Sequence, residues 1–87
     1  SGVKVFPNPV LTTESPYLYF ELSKAADVKI SISNVAGHII KQIETDFPEG
    51  QTTLQLDIDE SFPPGIYYIS GRVGTRRIHE RFVRVKE

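Results

Sequence analysis

The chain has 87 residues, no cysteine, no tryptophan, a net charge of −1 and a pI of about 6.1. That length makes one domain, 1–87, and with no disulfide or thiolate metal site available its stability must come from packing aliphatic and aromatic side chains. The near-neutral charge speaks against bulk attraction to nucleic acid or to a membrane surface, and no apolar run approaches the ~18 residues of a membrane helix.

Ser1-Gly2 reads as a linker end or a cloning remnant, and no secretory leader follows; the leader of an exported parent protein would lie upstream. The first expected strand, 3–6, runs directly into Pro7-Asn8-Pro9. Each proline removes a backbone donor and biases the preceding residue toward extended geometry, while the Asn8 amide can still bond neighbouring backbone. This segment should end the strand sharply and redirect the chain.

After the breaker Thr12–Pro16, "YLYFEL" (17–22) places Leu18, Phe20 and Leu22 on one face, with Tyr17, Tyr19 and Glu21 on the other. "DVKISIS" (27–33) alternates Val28, Ile30 and Ile32 with Lys29, Ser31 and Ser33. Asn34–Gly37 then turns the chain, and Gly37 is expected at positive φ, which a side chain would resist. Strands 38–45 and 52–58 follow on either side of Phe47–Gly50. The step Pro64-Gly65 opens strand 66–73, with Tyr67 and Ile69 on one face and Ile66 and Tyr68 on the other. Gly74-Thr75 leads into the last strand, 76–86.

That last strand changes register: Ile78 and Phe82 share one parity, Val83 and Val85 the other. A β-bulge near Glu80–Phe82 would bring all four inward; the alternative is an outward apolar stripe at Val83 and Val85. Period two throughout, regular turn signals and the absence of any helical apolar spacing predict an all-β fold, a seven-stranded immunoglobulin-like antiparallel β-sandwich.

The residues offer little for catalysis. His38 and His79 are isolated, with no second ligand at metal spacing. Asp57, Asp59 and Glu60 lack the alternating oxygen ligands and central glycine of a calcium loop. There is no phosphate-cradling glycine loop and no nucleophile elbow. No metal, cofactor or enzymatic activity is expected. Two features invite binding instead. The tail "RVGTRRIHERFVRVKE" is rich in arginine, on charge alone a solvated strand face first and a positively charged recognition tail second, and Tyr17 and Tyr19 share an outward face. The tyrosines suit cover for the sheet face or packing against an adjoining domain; the rival is an accessory carbohydrate-binding module of a secreted enzyme.

In chain order, "VFPNPV", "VKISISNVAGHIIKQ", "FPPGIYYISGRV" and "RRIHERFVRVKE" together resemble the C-terminal sorting domain of proteins exported by the bacterial type IX secretion system. The resemblance spans nearly the whole chain, Val5 to Lys86. It implies an immunoglobulin-like sandwich at the end of a larger cargo protein, without catalysis of its own. The cargo would cross the periplasm, be recognised by outer-membrane secretion machinery, and reach the cell surface or the extracellular space. A sortase-like peptidase would then remove the domain, cutting at or just before Ser1–Val3, and attach the cargo to lipopolysaccharide.

Carried over by residue, the family's opening motif falls on Pro7, Asn8 and Pro9, its mid-domain glycine on Gly37, and its Pro-Gly-x-Tyr step on Pro64, Gly65 and Tyr67. These are expected to shape the fold. Its closing strand falls on Arg81, Phe82, Val83, Arg84, Val85 and Lys86, the segment expected to be recognised by the machinery. A terminal strand can offer backbone for β-augmentation, its cations setting register against an acidic partner. Glu87 departs from the basic or apolar end common in the family. An exposed edge strand would also permit a homodimer.

Overall fold

A computed structural model describes residues 3–86; Ser1, Gly2 and Glu87, and with them the expected linker, the bond at its edge and the acidic last residue, lie outside the described residues. Eight strands follow in order: β1 Lys4–Phe6, β2 Val10–Leu11, β3 Tyr17–Leu22, β4 Ala26–Ser33, β5 Ile39–Phe47, β6 Gly50–Gln55, β7 Gly65–Val73 and β8 Arg76–Val85. They form a three-stranded sheet, β1-β3-β6, and a five-stranded sheet, β2-β8-β7-β4-β5. The two pack as an immunoglobulin-like sandwich, and no helix occurs among the described residues.

The count is eight rather than seven because the first strand is split between the sheets. β1 pairs antiparallel with β3, and β2 pairs with β8. The chain crosses at Pro7-Asn8-Pro9 without reversing direction, so β2 lies parallel to β8 in a sandwich whose other pairs are antiparallel. Two residues are too few to show a period, which is why alternation did not reveal β2.

The inward residues are those the alternation selects: Leu18, Phe20 and Leu22 from β3, Val28, Ile30 and Ile32 from β4, Tyr67 and Ile69 from β7, Ile78 and Phe82 from β8. Ile66 and Tyr68 are half-buried on the outer face of β7, the central strand of its sheet. Strand 52–58 was expected to run further than β6 does. Leu56 and Ile58 are still buried, but beyond Gln55 the chain leaves the ladder and folds as a loop under the sandwich.

Gly37 has φ +85, and the turn around it is closed by Asn34, whose Oδ1 accepts from the N–H groups of Ala36 and His38, both at 3.0 Å. Pro64 leads into β7, whose first residue is Gly65. β8 pairs with β7 without interruption from Gly65↔Arg84 to Val73↔Arg76, so the bulge anticipated near Glu80–Phe82 does not form. Val83 and Val85 take the outward alternative, half-buried beside Ile66 and Leu11, their cross-strand partners. The same register turns Arg84, on the opposite parity with Ile78 and Phe82, inward.

Candidate functional site

The two ends of the described chain meet at the outer edge of β8. Along this edge the N–H of Val83 donates to Asn8 Oδ1 at 3.0 Å, and Asn8 Nδ2 donates to the carbonyl of Arg81 at 3.2 Å. Prolines on either side of Asn8 have no N–H to offer, so its side-chain amide supplies the donor and acceptor that a strand backbone would. One step on, β2 pairs with Arg84 and Val85, and the N–H of Thr12 donates to the carbonyl of Val85 at 2.9 Å.

Arg84 is 1 % exposed, and is the only buried charged side chain among the described residues. Its Nη1 donates to the carbonyls of Asp59 (3.1 Å) and Phe62 (2.8 Å), and its Nη2 to that of Thr12 (3.0 Å). The guanidinium also lies over the Tyr67 ring, 5.9 Å from its centroid. Tyr67 stacks on Phe82 at 5.7 Å, and its hydroxyl donates to the carbonyl of Pro63 at 2.5 Å. A tyrosine bonding back to backbone just before its strand is a recurrent corner of immunoglobulin-like sandwiches. Three carbonyls of the β6–β7 loop are thus held by two side chains, and the loop is tied to β2 through Arg84. Within it, the Asp59 carboxylate is held below its usual range by hydrogen bonds from the Ser61 backbone and hydroxyl, with a further contribution from the Arg84 charge, against an opposing effect of burial.

The expected recognition strand therefore divides in two. Arg81 and Lys86 are exposed and Val83 and Val85 half-buried, whereas Phe82 and Arg84 belong to the interior. Pro7, Asn8 and Pro9 are brought against Arg81–Val83. Gly37 sits at the β4–β5 turn, apart from this cluster, while Pro64, Gly65 and Tyr67 flank it from the β7 side. From the Arg81 carbonyl to the Val85 carbonyl, the backbone edge expected to accept an added strand is already engaged by Asn8, β2 and Thr12.

The inward turn of Arg84 had a legible signal: it shares parity with Ile78 and Phe82. Its acceptors, main-chain carbonyls of two irregular segments, had none.

Elsewhere, Tyr17 stacks on Phe6 with ring centroids 5.7 Å apart, and Tyr19 is half-buried, its phenol pushed above the usual value by burial first and then by the Glu21 charge and hydrogen bond. The tyrosines cover the three-stranded sheet. His38 is exposed, and His79 lies 6.0 Å from the Tyr68 ring on the outer face of the five-stranded sheet. No group of three or more acidic, histidine or cysteine side chains that could hold a metal occurs among the described residues.

A family model described as the secretion system C-terminal sorting domain covers residues 4–86. No curated protein matches the chain.

Proposed function

From the chain's membership of the secretion system C-terminal sorting domain family, the sorting signals of type IX secretion, we infer that it is the non-catalytic address of an exported cargo. As such a signal it is fused to an upstream cargo, is recognised by the secretion machinery, and directs export across the outer membrane to the cell surface or extracellular space. The observation that carries this is the family match over residues 4–86, which takes in both motifs that meet at the β8 edge.

The finer steps belong to the proposal. The cargo passes through the periplasm, the outer-membrane machinery reads the domain through the closing segment Arg81–Lys86, and a sortase-like peptidase removes the domain and attaches the cargo to the surface. What supports the middle step is that Arg81, Val83 and Val85, on a strand held in one register, and Lys86 just beyond it keep side chains at least partly accessible. Recognition is by these side chains, since the backbone edge is engaged. A homodimer would use a different edge, and the long outer strand β5 is the candidate.

The test is a periplasmic reporter carrying this domain at its C-terminus in a type IX-competent host. Export of the wild-type fusion, with retention of an Arg81→Gln, Lys86→Gln variant that still folds, supports the reading. Retention of the wild-type fusion overturns it, and export of the variant at the wild-type level removes the closing segment from recognition. Complete removal of Arg81–Glu87 is unsuitable, because it takes Phe82 and Arg84 out of the interior.

A further inference from the structure

We propose that the outer face of the five-stranded sheet, at β7 and β8, is a docking surface for an extended acidic segment of a partner protein. The idea deepens the sorting-signal reading and rests on it. The strand registers place Arg77, Arg72, Lys29 and Glu44 in one row across β8, β7, β4 and β5. Lys29 and Glu44 approach to 3.9 Å, but no ion pair or hydrogen bond engages the guanidinium of Arg72, Arg77 or Arg81 among the described residues. Arg72 and Arg77 are direct cross-strand neighbours, an arrangement that is unfavourable in isolation and that an anion would relieve.

Basic side chains also repeat along the strand. Arg77, His79 and Arg81 occupy alternate positions of β8, all exposed, at a spacing of about 7 Å. An extended peptide carries its alternate side chains at the same spacing, so acidic residues at every second position would meet this row one for one. Between Arg72, Arg77 and His79 lies a shallow depression of about 440 Å³, floored by Ser70, Gly71 and Ile78. It gives arginine forks room to take carboxylates in a bidentate manner.

The opposite side of the same face limits what can bind. Asp27, Glu44 and Asp46 line an adjoining depression with Lys29 and Arg72. A uniformly charged polyanion or an anionic membrane lying across the whole face would meet this acidic corner. A narrow acidic strand running along β8 would not.

The probe is a fluorescein-labelled decapeptide of alternating Glu and Thr, titrated by anisotropy against the domain at low and at physiological salt. The expected result is salt-sensitive binding that weakens roughly tenfold or more in an Arg72→Gln, Arg77→Gln variant, with circular dichroism unchanged. A peptide of the same composition with its glutamates in adjacent pairs should bind more weakly. Unchanged affinity in the variant, equal affinity for the paired peptide, or preferential binding to vesicles of anionic phospholipid would each overturn the proposal. The same variant in the reporter fusion separates the two readings. If the wild-type fusion is not exported, the sorting assignment fails; if wild type and variant are exported equally, only the docking face does.

Discussion

Asn8 and Val83 are 75 positions apart in sequence, yet the backbone N–H of Val83 is satisfied by the Asn8 side chain at 3.0 Å. The same amide takes the carbonyl of Arg81, so one side chain continues the sheet edge where two prolines prevent a backbone from doing so. The opening motif is thereby a fastener for the closing strand, and the two ends of the matched region are parts of one structural unit.

Replacing Asn8 by Ala should destabilise the domain by about 1–2 kcal/mol, the cost of two hydrogen bonds at a partly solvated edge. Asn8→Asp keeps the acceptor for Val83 but sets a carboxylate oxygen against the Arg81 carbonyl, and should rescue less than half of that loss. Urea unfolding checks both: the midpoint should fall with the slope unchanged. An Asn8→Ala midpoint equal to wild type would show that the fastener contributes nothing.

Arg84 should be far less replaceable. Arg84→Ala leaves the carbonyls of Asp59, Phe62 and Thr12 without their donor and opens space beneath Tyr67, a loss of about 3–4 kcal/mol that is a large part of a small domain's stability. Arg84→Lys should recover little of it, because a single ammonium on a flexible stem cannot reproduce a planar fork reaching three acceptors. Hydrogen exchange should show residues 57–64 losing protection ahead of the sheets. Uniform loss across the domain would mean that Arg84 acts on the core rather than on the loop.

The alternation of Leu18–Leu22, Val28–Ile32 and Tyr67–Ile69 was enough to assign strands, faces and most of the interior, because each is a half-buried strand with a period of two. The split first strand was not visible, since Val10–Leu11 is too short for a period and its partner is distant in sequence. In the closing strand, charge suggested recognition while parity pointed inward for Arg84; burial decided in favour of parity. The row Arg77–Arg72–Lys29 was equally hidden, because it exists only once three strands are in register.

Gly71 and Gly37 should respond differently to a methyl group. In Gly71→Ala the new Cβ would be driven into the carbonyl oxygen of Lys29 on β4, with the Ile30 Cα only 2.9 Å away. Backbone cannot yield as a side-chain tip can, so this change should cost more than about 2–3 kcal/mol or prevent folding. At Gly37 the space around a Cβ is open and only φ +85 resists, for a loss of about 1 kcal/mol. Thermal unfolding of the two variants, side by side, tests the ordering; a Gly37→Ala loss as large as that of Gly71→Ala would contradict it.

The Asp27↔Asp46 pair across β4 and β5 should make stability depend on pH in an unusual direction for carboxylates. Asp46 is held above the usual value of 3.8, first by a side-chain hydrogen bond with Asp27, which requires a shared proton, then by the Asp27 charge, by burial, and by Glu44. Lys29 and Arg72 border the same depression, yet the shift of Asp46 is upward. A carboxyl whose folded pKa is raised contributes stability that is complete below the unfolded value and is lost as pH rises through the folded one. Asp46→Asn keeps a donor toward Asp27 and removes one negative charge, so it should raise Tm at pH 7. That advantage should shrink as pH falls toward and below 3.8, where wild-type Asp46 carries its own proton. Scanning calorimetry of both proteins from pH 7 to pH 3 measures the difference. A Tm gain that stays constant with pH would locate the effect in packing rather than in the pair.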